Sequence, residues 1–170
     1  SKKFRDLNNY NLIKGNLNEL KLINILTENN IKYVINFAAQ SHVCTSFTNS
    51  IQYTKDNILG SHNLLEACKI YNKLIKFIHI STDEVYGESI YNNISENSIL
   101  NPTNPYAATK AGIELIIQSY IISYKFPAII VRSNNVYGNN QYPEKLIPKF
   151  IKLLKENKKL TIHGNGSSLR

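Results

Sequence analysis

The sequence KFIHISTDEVYG at residues 76–87 decides the fold, because it joins a short apolar run to a polar turn. Phe77, Ile78 and Ile80 make the run nearly continuous, which is typical of a strand buried on both faces of a parallel sheet. Such sheets bind ligands at the carboxyl ends of their strands. The hydroxyl and carboxylate groups that follow this strand are therefore the first place to look for function.

Apolar periodicity changes repeatedly along the rest of the chain. Besides residues 76–81, it predicts strands at residues 10–14, 33–37, 128–133 and 160–162, and helices at residues 17–26, 51–71, 106–125 and 146–156. Strands that alternate with helices predict an α/β fold with a doubly wound parallel sheet. The polar loop at residues 88–104 is long for a compact domain, and this length indicates a binding lid.

The composition is that of one globular domain of 170 residues, with 42% hydrophobic and 19% charged residues. The longest apolar stretch, at residues 113–122, is interrupted by Glu114 and Gln118, so no membrane span is expected. Cys44 and Cys68 have the spacing of neither a zinc site nor a disulfide framework, and no metal site is predicted. The first residues lack a signal-peptide core, and we expect a reducing, cytoplasmic location.

The formal net charge of +8 raises the question of a nucleic-acid partner. Arg5, Arg132 and Arg170 are the only arginines, the lysines are scattered, and no known nucleic-acid-binding sequence pattern accompanies them. A compositional bias toward Lys, Asn and Ile explains the basic charge. We therefore expect no nucleic-acid partner.

Tyr106 and Lys110 stand at the start of a predicted helix, after the sequence PTNP at residues 102–105. Their i, i+4 spacing places the phenol and the ammonium on one helix face. A lysine cation there lowers the pKa of a phenol and makes it usable as a general base. The alternative is a core tyrosine beside a solvated lysine, and the spacing taken alone favours that alternative.

Asp83 and Glu84 follow the buried strand directly, where nothing structural calls for two carboxylates. Adjacent carboxylates in different surroundings can divide acid and base roles. The alternative is a pair of solvated loop residues. Because Tyr106 and Lys110 are expected at the same sheet edge, we favour a catalytic role for all four residues.

Further sequences complete the pattern: NFAAQSHV at residues 36–43, DNILG at 56–60, NPYAATK at 104–110 and RSNNVYGNNQYPEKLIPKF at 132–150. Together with STDEVYG at 81–87, they resemble the extended short-chain dehydrogenase/reductases. The resemblance is closest to the nucleotide-sugar 4,6-dehydratases of dTDP-glucose and UDP-glucose. It covers essentially the whole chain and implies an NAD-binding, Rossmann-like sheet. Epimerases and decarboxylases of the superfamily share the Tyr-Lys motif but usually lack the Asp-Glu pair.

The resemblance implies a lyase, which removes water from a nucleotide-diphosphoglucose to give the 4-keto-6-deoxy sugar, a step in deoxysugar and rhamnose synthesis. Tyr106 would take the proton of the 4-hydroxyl, and Lys110 would hold the nicotinamide ribose. Thr82 would hydrogen-bond the reacting oxygen. Glu84 would remove the C5 proton, and Asp83 would protonate the departing 6-hydroxyl.

The resemblance also implies two sets of binding residues. Besides Tyr106 and Lys110, the cofactor set comprises Asn16, Leu17, Phe37, Ala38, Ala39, Gln40, Ser41 and Asp56. Besides Ser41 and Thr82, the substrate set comprises Asn135, Lys145, Leu146, Thr161, Ile162, His163 and Arg170. The cations in the substrate set suit a diphosphate.

Two domains are expected, a partial NAD-binding domain at residues 1–140 and the beginning of a substrate-binding region at residues 141–170. No G-x-G-x-x-G sequence is present, and GNG at residues 164–166 is interpreted as a tight turn. We therefore expect a sheet incomplete at the N-terminus, with the pyrophosphate-binding turn before Ser1. The chain is expected to be part of a longer protein that forms a homodimer. Cys44 departs from the family, which usually has an aspartate there.

Two alternatives to the dehydratase remain at this point. One is a UDP-sugar epimerase or decarboxylase of the same superfamily, against which the Asp83-Glu84 pair argues. The other is a nucleotide-sugar binding module without turnover, which the complete set of catalytic residues does not support. The choice between dTDP-glucose and UDP-glucose stays open.

Overall fold

The computed structural model of the protein describes residues 10–88 and 93–161. In these residues three parallel strands form one sheet in the order β1-β2-β3. The strands are β1 at Tyr33–Asn36, β2 at Lys76–Thr82 and β3 at Ala128–Ser133. The predicted strands at residues 33–37, 76–81 and 128–133 are confirmed, and the strand that carries the polar turn lies in the centre.

The helices largely follow the predicted ones. They are α1 (Leu22–Glu28), α2 (Val43–Thr48), α3 (Ser50–Tyr53), α4 (Gly60–Tyr71), α5 (Pro105–Tyr124) and α6 (Leu146–Lys155). A π-helical segment, Thr54–Leu59, joins α3 to α4, so the single helix predicted at residues 51–71 contains a wider turn. A 3-10 turn, Asp83–Tyr86, follows β2 directly.

The start of α5 has a clear local cause. Asn104 has an extended backbone, and its Oδ1 accepts a hydrogen bond from the Ala107 N–H at 2.8 Å. Pro105 then occupies the first helical position, where its missing N–H leaves no hydrogen bond unmade. At the other end Lys125 adopts a left-handed conformation with φ 52°, which ends the helix.

The core lies on one face of the sheet, where α1, α4 and α5 pack against β2. Leu65, Phe77, Ile113 and Ile117 are completely buried there. On the opposite face Tyr33, Ile35, Ile129 and Val131 stay exposed. The apolar run of β2 predicts cover on both faces, whereas the described residues cover only one.

Two predicted strands are not observed as such. Residues 10–14 have no strand partner among the described residues and are irregular, so that prediction is wrong. Of residues 160–162, Leu160 and Thr161 are not in a strand, and Ile162 lies outside the described residues. The short helix α2 and the 3-10 turn are absent from the sequence prediction. Within the described ranges, no helix has the length and apolar character needed to cross a membrane.

Candidate active site

A cleft opens where β2 and β3 end and α5 begins, with a volume of about 240 Å³. We call it the first cleft. It is lined by several residues that the sequence analysis singled out, namely Ser41, Thr82, Glu84, Tyr106, Asn135 and Lys145. The other lining residues are Ser81, Ser133, Asn134, Val136, Gln141 and Tyr142. The strand ends therefore bring predicted catalytic and substrate residues together, as expected for a parallel sheet.

The turn after β2 is organised by the hydroxyl of Thr82, a buried residue with extended backbone. Its Oγ1 accepts a hydrogen bond from the Glu84 N–H at 3.3 Å and donates one to Asp83 Oδ1 at 3.1 Å. Thr82 thus caps the 3-10 turn and orients the Asp83 carboxylate. Asp83 itself does not line the first cleft, whereas Thr82 and Glu84 do.

Gly87 ends this turn in a conformation that other residues rarely adopt, with φ 76°. A Cβ atom at this position would come within 2.2 Å of the Asn101 carbonyl oxygen. The Asn101 N–H in turn donates to the Val85 carbonyl at 2.9 Å. Glycine therefore allows the chain before α5 to pack directly against the turn that carries the carboxylates.

Asn104 connects the carboxylates to the helix that carries Tyr106. Its Nδ2 donates to Glu84 Oε2 at 3.1 Å, while its Oδ1 caps α5. The sequence analysis did not assign this residue to the site. The signal was present, because an asparagine followed by proline at a helix start indicates a cap, but the contact with Glu84 is visible only in the fold.

Tyr106 and Lys110 lie one turn apart on α5 and are both buried, at 9% and 3% exposure. Tyr106 lines the first cleft, whereas Lys110 lies outside its lining. The Lys110 Nζ donates to the Ile80 carbonyl at 2.5 Å and lies 3.4 Å from Nε2 of His79. Burial lowers the pKa of Lys110 to about 8, against the opposite influence of Glu114.

A second cleft of about 290 Å³ lies beside the end of β1. It is lined by Gly15 and by residues of the predicted cofactor set, namely Asn16, Leu17, Ala38, Ala39, Gln40 and Asp56. Phe37 belongs to the same set but is 71% exposed and lies outside this lining. The predicted cofactor residues are thus distributed over two clefts, since Ser41 and Tyr106 line the first one.

Asn57, in the π-helical segment, is 1% exposed and links Gln40 of the second cleft to the helix that carries Tyr106. Its Oδ1 accepts from the Gln40 N–H at 2.7 Å, and its Nδ2 donates to the Gln40 carbonyl at 3.0 Å. The same Nδ2 donates to Thr109 Oγ1 at 2.9 Å, and Thr109 donates to the Tyr106 carbonyl at 2.7 Å. Asn57 therefore fixes the loop after β1 against α5, a role that the sequence analysis did not assign.

The predicted substrate residues are only partly brought together. Lys145 Nζ donates to the Ser41 carbonyl at 3.4 Å across the mouth of the first cleft. Leu146 is 63% exposed, and neither it nor the exposed Thr161 lines a described cleft. The remaining predicted substrate residues, Ile162, His163 and Arg170, lie outside the described residues.

A parallel α/β sheet whose strand ends face a helix with Tyr106 and Lys110 fits the extended short-chain dehydrogenase/reductases that the sequence motifs resemble. The family model described as GDP-mannose 4,6 dehydratase matches residues 1–170, and the chain belongs to this family. The resemblance found in the sequence motifs is thereby confirmed.

The chain is about equally similar to curated relatives that are named for dTDP-glucose and to those named for UDP-glucose. The chain is 53% identical to a dTDP-D-glucose 4,6-dehydratase of Dictyostelium discoideum, over 95% of the chain and 40% of the relative. It is 52% identical to a trifunctional protein of Arabidopsis thaliana, over 95% of the chain and 25% of that protein. The Arabidopsis protein is named for UDP-glucose 4,6-dehydratase, UDP-4-keto-6-deoxy-D-glucose 3,5-epimerase and UDP-4-keto-L-rhamnose-reductase activities.

The fold has clear counterparts among solved structures. UDP-glucuronic acid 4-epimerase from Bacillus cereus, crystallised with UDP-glucuronic acid and NAD, superposes with a TM-score of 0.91 at 35% identity. The match covers 98% of the chain and 52% of the epimerase chain. The predicted α/β fold with a parallel, Rossmann-like sheet is confirmed. The chain spans about half of the epimerase chain and less than half of each of the two curated relatives.

Proposed function

We propose that the full-length protein is an NAD-dependent nucleotide-diphosphoglucose 4,6-dehydratase, and that these residues form much of its catalytic cleft. The observation that carries the proposal is the hydrogen bond from Asn104 to Glu84. It places the Thr82–Glu84 turn beside the start of α5, where Tyr106 lies. The two dehydratase relatives, each more than half identical to the chain, support the same reaction.

The residues of the second cleft fit part of NAD. Ala38 and Ala39 are small, exposed residues of the lining and leave the backbone there accessible to a ligand. Gln40 and Asp56 offer amide and carboxylate groups, which suit ribose hydroxyls. The NAD bound in the Bacillus cereus epimerase supports this assignment. When bound, the cofactor supplies reversible hydride acceptance.

In the first half of the reaction the sugar is oxidised at C4. Tyr106 lines the first cleft and takes the proton of the 4-hydroxyl as C4 loses its hydride. Thr82 lines the same cleft and holds the reacting oxygen by a hydrogen bond. Lys110, one helical turn behind Tyr106, favours the phenolate when it carries its positive charge.

In the second half water is eliminated. The 4-keto group acidifies the C5 proton, which Glu84 removes from its position in the cleft. Asp83 gives a proton to the 6-hydroxyl, the C6–O bond breaks and water leaves. Glu84 returns its proton to C5, and the bound cofactor would supply the hydride for C6, so the product would be the 4-keto-6-deoxy sugar nucleotide. Thr82, which lines the first cleft, donates a hydrogen bond to Asp83 Oδ1 and keeps this carboxyl group beside the cleft.

A 4-epimerase remains the second candidate, because the Bacillus cereus epimerase has the same fold. An epimerase removes and returns hydride at C4 and needs no acid at O6. The Asp83-Glu84 pair, of which Glu84 accepts a hydrogen bond from Asn104 at the start of α5, would then have no role in the reaction. A binding module without turnover would leave Tyr106 and Lys110 without a task as well. The residues present favour the dehydratase.

The same resemblance leads us to propose a cytoplasmic homodimer with a nucleotide-sugar substrate. Residues 1–140 would belong to its NAD-binding domain, and residues 141–170 would begin its substrate-binding region. Both assignments concern the full-length protein.

The test is to incubate the full-length protein separately with dTDP-glucose and UDP-glucose and to measure 4-keto-sugar absorbance after alkali. We expect a 4-keto-6-deoxy product from at least one of them, and the ratio of kcat/KM values identifies the preferred nucleotide. A product inverted at C4 that retains O6 would establish the epimerase instead. Absence of any product from both nucleotide sugars would contradict the dehydratase.

A further inference from the structure

A buried chain of polar groups runs beneath the first cleft, from the loop after β1 to the amine of Lys110. The Ala38 N–H donates to Asn36 Oδ1 at 3.1 Å, and Asn36 Nδ2 lies 3.3 Å from His79 Nδ1. On the other side of the ring, His79 Nε2 lies 3.4 Å from Lys110 Nζ. Asn36, His79 and Lys110 are 2%, 0% and 3% exposed, so water does not compete for these contacts.

The direction of the hydrogen bonds in this chain is fixed at one end by the backbone. A backbone N–H only donates, so the Asn36 atom that faces Ala38 must be the oxygen. The Asn36 amide nitrogen therefore faces His79, and it also donates to Ser61 Oγ at 2.9 Å. Because this nitrogen can only donate, Nδ1 of His79 must accept, and a neutral ring carries its proton on Nε2.

His79 is neutral in the folded protein at ordinary pH. Burial, and next the positive charge of Lys110, lower the pKa of His79 to about 3. The tautomer is then the remaining variable, and the Nε2–H tautomer points a donor at Lys110.

We propose that His79 is a positioning residue for Lys110, held by Asn36 as the Nε2–H tautomer so that this N–H faces the lysine amine. An ammonium group has only donors to offer, so a facing N–H disfavours it, whereas a neutral amine accepts the proton in a hydrogen bond. The Ile80 carbonyl accepts from Lys110 in either state. The arrangement therefore weakens the hold of Lys110 on its proton.

The proposal rests on the proposed function for its consequence in catalysis, where the charge of Lys110 acts on Tyr106. The groups that face Lys110 are His79 from β2 and, from α5 itself, Tyr106 and Glu114. Glu114 favours the ammonium, and Arg132 from β3 lies 2.7 Å from the Glu114 carboxylate. His79 and burial thus act against Glu114. Because Ala38 also lines the second cleft, the hydrogen-bonded groups Asn36 and His79 connect that cleft to the amine of Lys110.

The first test observes the tautomer directly and needs no turnover. Full-length protein with nitrogen-15 in its histidine rings is studied by long-range nitrogen–proton NMR at neutral pH, and His79→Gln identifies the His79 signals. We expect a protonated Nε2 and an unprotonated Nδ1. A ring protonated on Nδ1, or on both nitrogens, would overturn the proposal.

The second test reverses the direction of the hydrogen bond between residue 36 and His79. Asn36→Asp keeps the size of the side chain and the acceptor for the Ala38 N–H, but it presents an acceptor to His79 Nδ1. The ring proton moves to Nδ1, and Nε2 becomes an acceptor for the ammonium. In this variant the nitrogen NMR should find the ring proton on Nδ1, which the added negative charge alone does not require. The titration of Lys110, followed by the chemical shift of its carbon-13-labelled ε-carbon, should move to higher pH.

Ser61→Ala is the matched control, because it removes the other partner of Asn36 Nδ2 without changing the group that faces His79. It should leave both the tautomer and the Lys110 titration in place. If the protein is active on nucleotide-glucose, the alkaline limb of C4 oxidation should shift with Asn36→Asp and not with Ser61→Ala. An unchanged Lys110 titration in a folded Asn36→Asp protein would overturn the proposal. An altered titration without turnover would instead contradict only the proposed function.

Discussion

Glu84 is held more firmly than a solvated loop carboxylate needs to be. Its backbone N–H is capped by Thr82, and its side chain accepts from Asn104. These contacts aim the carboxylate into the first cleft, next to Tyr106. The two residues nevertheless belong to different halves of the proposed reaction, so their variants should fail at different steps.

Glu84→Gln keeps the shape of the side chain and an oxygen for the Asn104 hydrogen bond, but it removes the base. Oxidation at C4 should proceed, and the 4-keto intermediate should then remain on the enzyme. We expect reduced nicotinamide to accumulate when substrate is added, visible by its absorbance. Exchange of the C5 hydrogen with deuterated solvent should slow sharply.

Two further variants serve as a comparison and a control for Glu84→Gln. Asp83→Asn should also stall elimination, but C5 exchange should persist because its base is still present. Glu88→Gln changes an exposed carboxylate just past the turn and should behave as the wild type. Full dehydration by Glu84→Gln, without reduced cofactor, would remove the main support for the dehydratase.

Tyr106→Phe should fail earlier, at the oxidation itself. A general base contributes roughly 10²–10⁴-fold to proton transfer but little to ground-state binding. The rate of C4 oxidation should therefore fall by about that factor, while the affinity for the nucleotide sugar changes little. Single-turnover kinetics and calorimetry measure the two quantities. Tyr142→Phe, a second phenol of the same cleft, is the control, and equal losses in both variants would disprove the assignment.

At the scale of elements, α5 owes both its start and its link to the carboxylates to Asn104. Asn104→Asp should separate these two roles. Aspartate caps helices as well as asparagine does, so the capping contribution to the free energy of unfolding, about 1 kcal/mol, should be retained. The new carboxylate would repel Glu84 in place of the lost hydrogen bond, so elimination should slow. Asn104→Ala, by contrast, should lose about 1 kcal/mol of stability.

Chemical denaturation and the rate of C5 exchange, measured on the same preparations, check this separation. Asn104→Ser supplies the matched control, because serine caps the helix without adding a charge. An Asn104→Asp protein with wild-type elimination would show that the contact with Glu84 has no catalytic consequence.

The elements that the sequence predicted well are those whose signal is local. The apolar runs of β1, β2 and β3 and the spacing within α5 are legible residue by residue. Helix α2 has only six residues, too few to show a period, and the π-helical segment differs from an α-helix only in its wider turns. Residues 10–14 carry apolar side chains, but a strand also needs a neighbour to pair with.

The residues of the candidate site also divide into those that the sequence could predict and those that only the fold reveals. Topology alone brings the ends of parallel strands together, so the meeting of Thr82, Glu84 and Tyr106 in one cleft could be predicted. Asn57 and Asn104 were missed because their partners lie far along the chain, 52 residues away for Thr109 and 20 for Glu84. The Asn-Pro sequence marks Asn104 as a helix cap, but nothing local in an asparagine-rich sequence indicates its contact with Glu84 or any role for Asn57.

At the scale of the whole molecule, Arg132 on β3 joins three parts of the structure. Its guanidinium donates to Glu114 Oε2 on α5 at 2.8 Å, to the Tyr86 hydroxyl in the 3-10 turn at 2.6 Å and to the Glu96 carbonyl at 2.8 Å. Burial acts to lower the pKa of Arg132, but the hydrogen bonds to Glu114 and Tyr86 outweigh it and raise the pKa. Arg132 therefore stays charged and holds together the 3-10 turn after β2, the loop at Glu96 and helix α5.

Arg132→Met should be strongly destabilising, because it leaves a buried charge behind. The Glu114 side chain is completely buried, and its Oε1 has no hydrogen-bond partner among the described residues. Removing one partner of such a pair costs about 3–5 kcal/mol, and replacing both costs much less.

Urea denaturation of the full-length protein should show the large loss of stability for Arg132→Met and a clearly smaller loss for Arg132→Met combined with Glu114→Gln. Lys152→Met, which breaks an exposed pair at 4.0 Å, should change stability by less than about 1 kcal/mol. Equal losses in the single and double variants would show that Arg132 stabilises the fold through Tyr86 and the loop rather than through the buried charge.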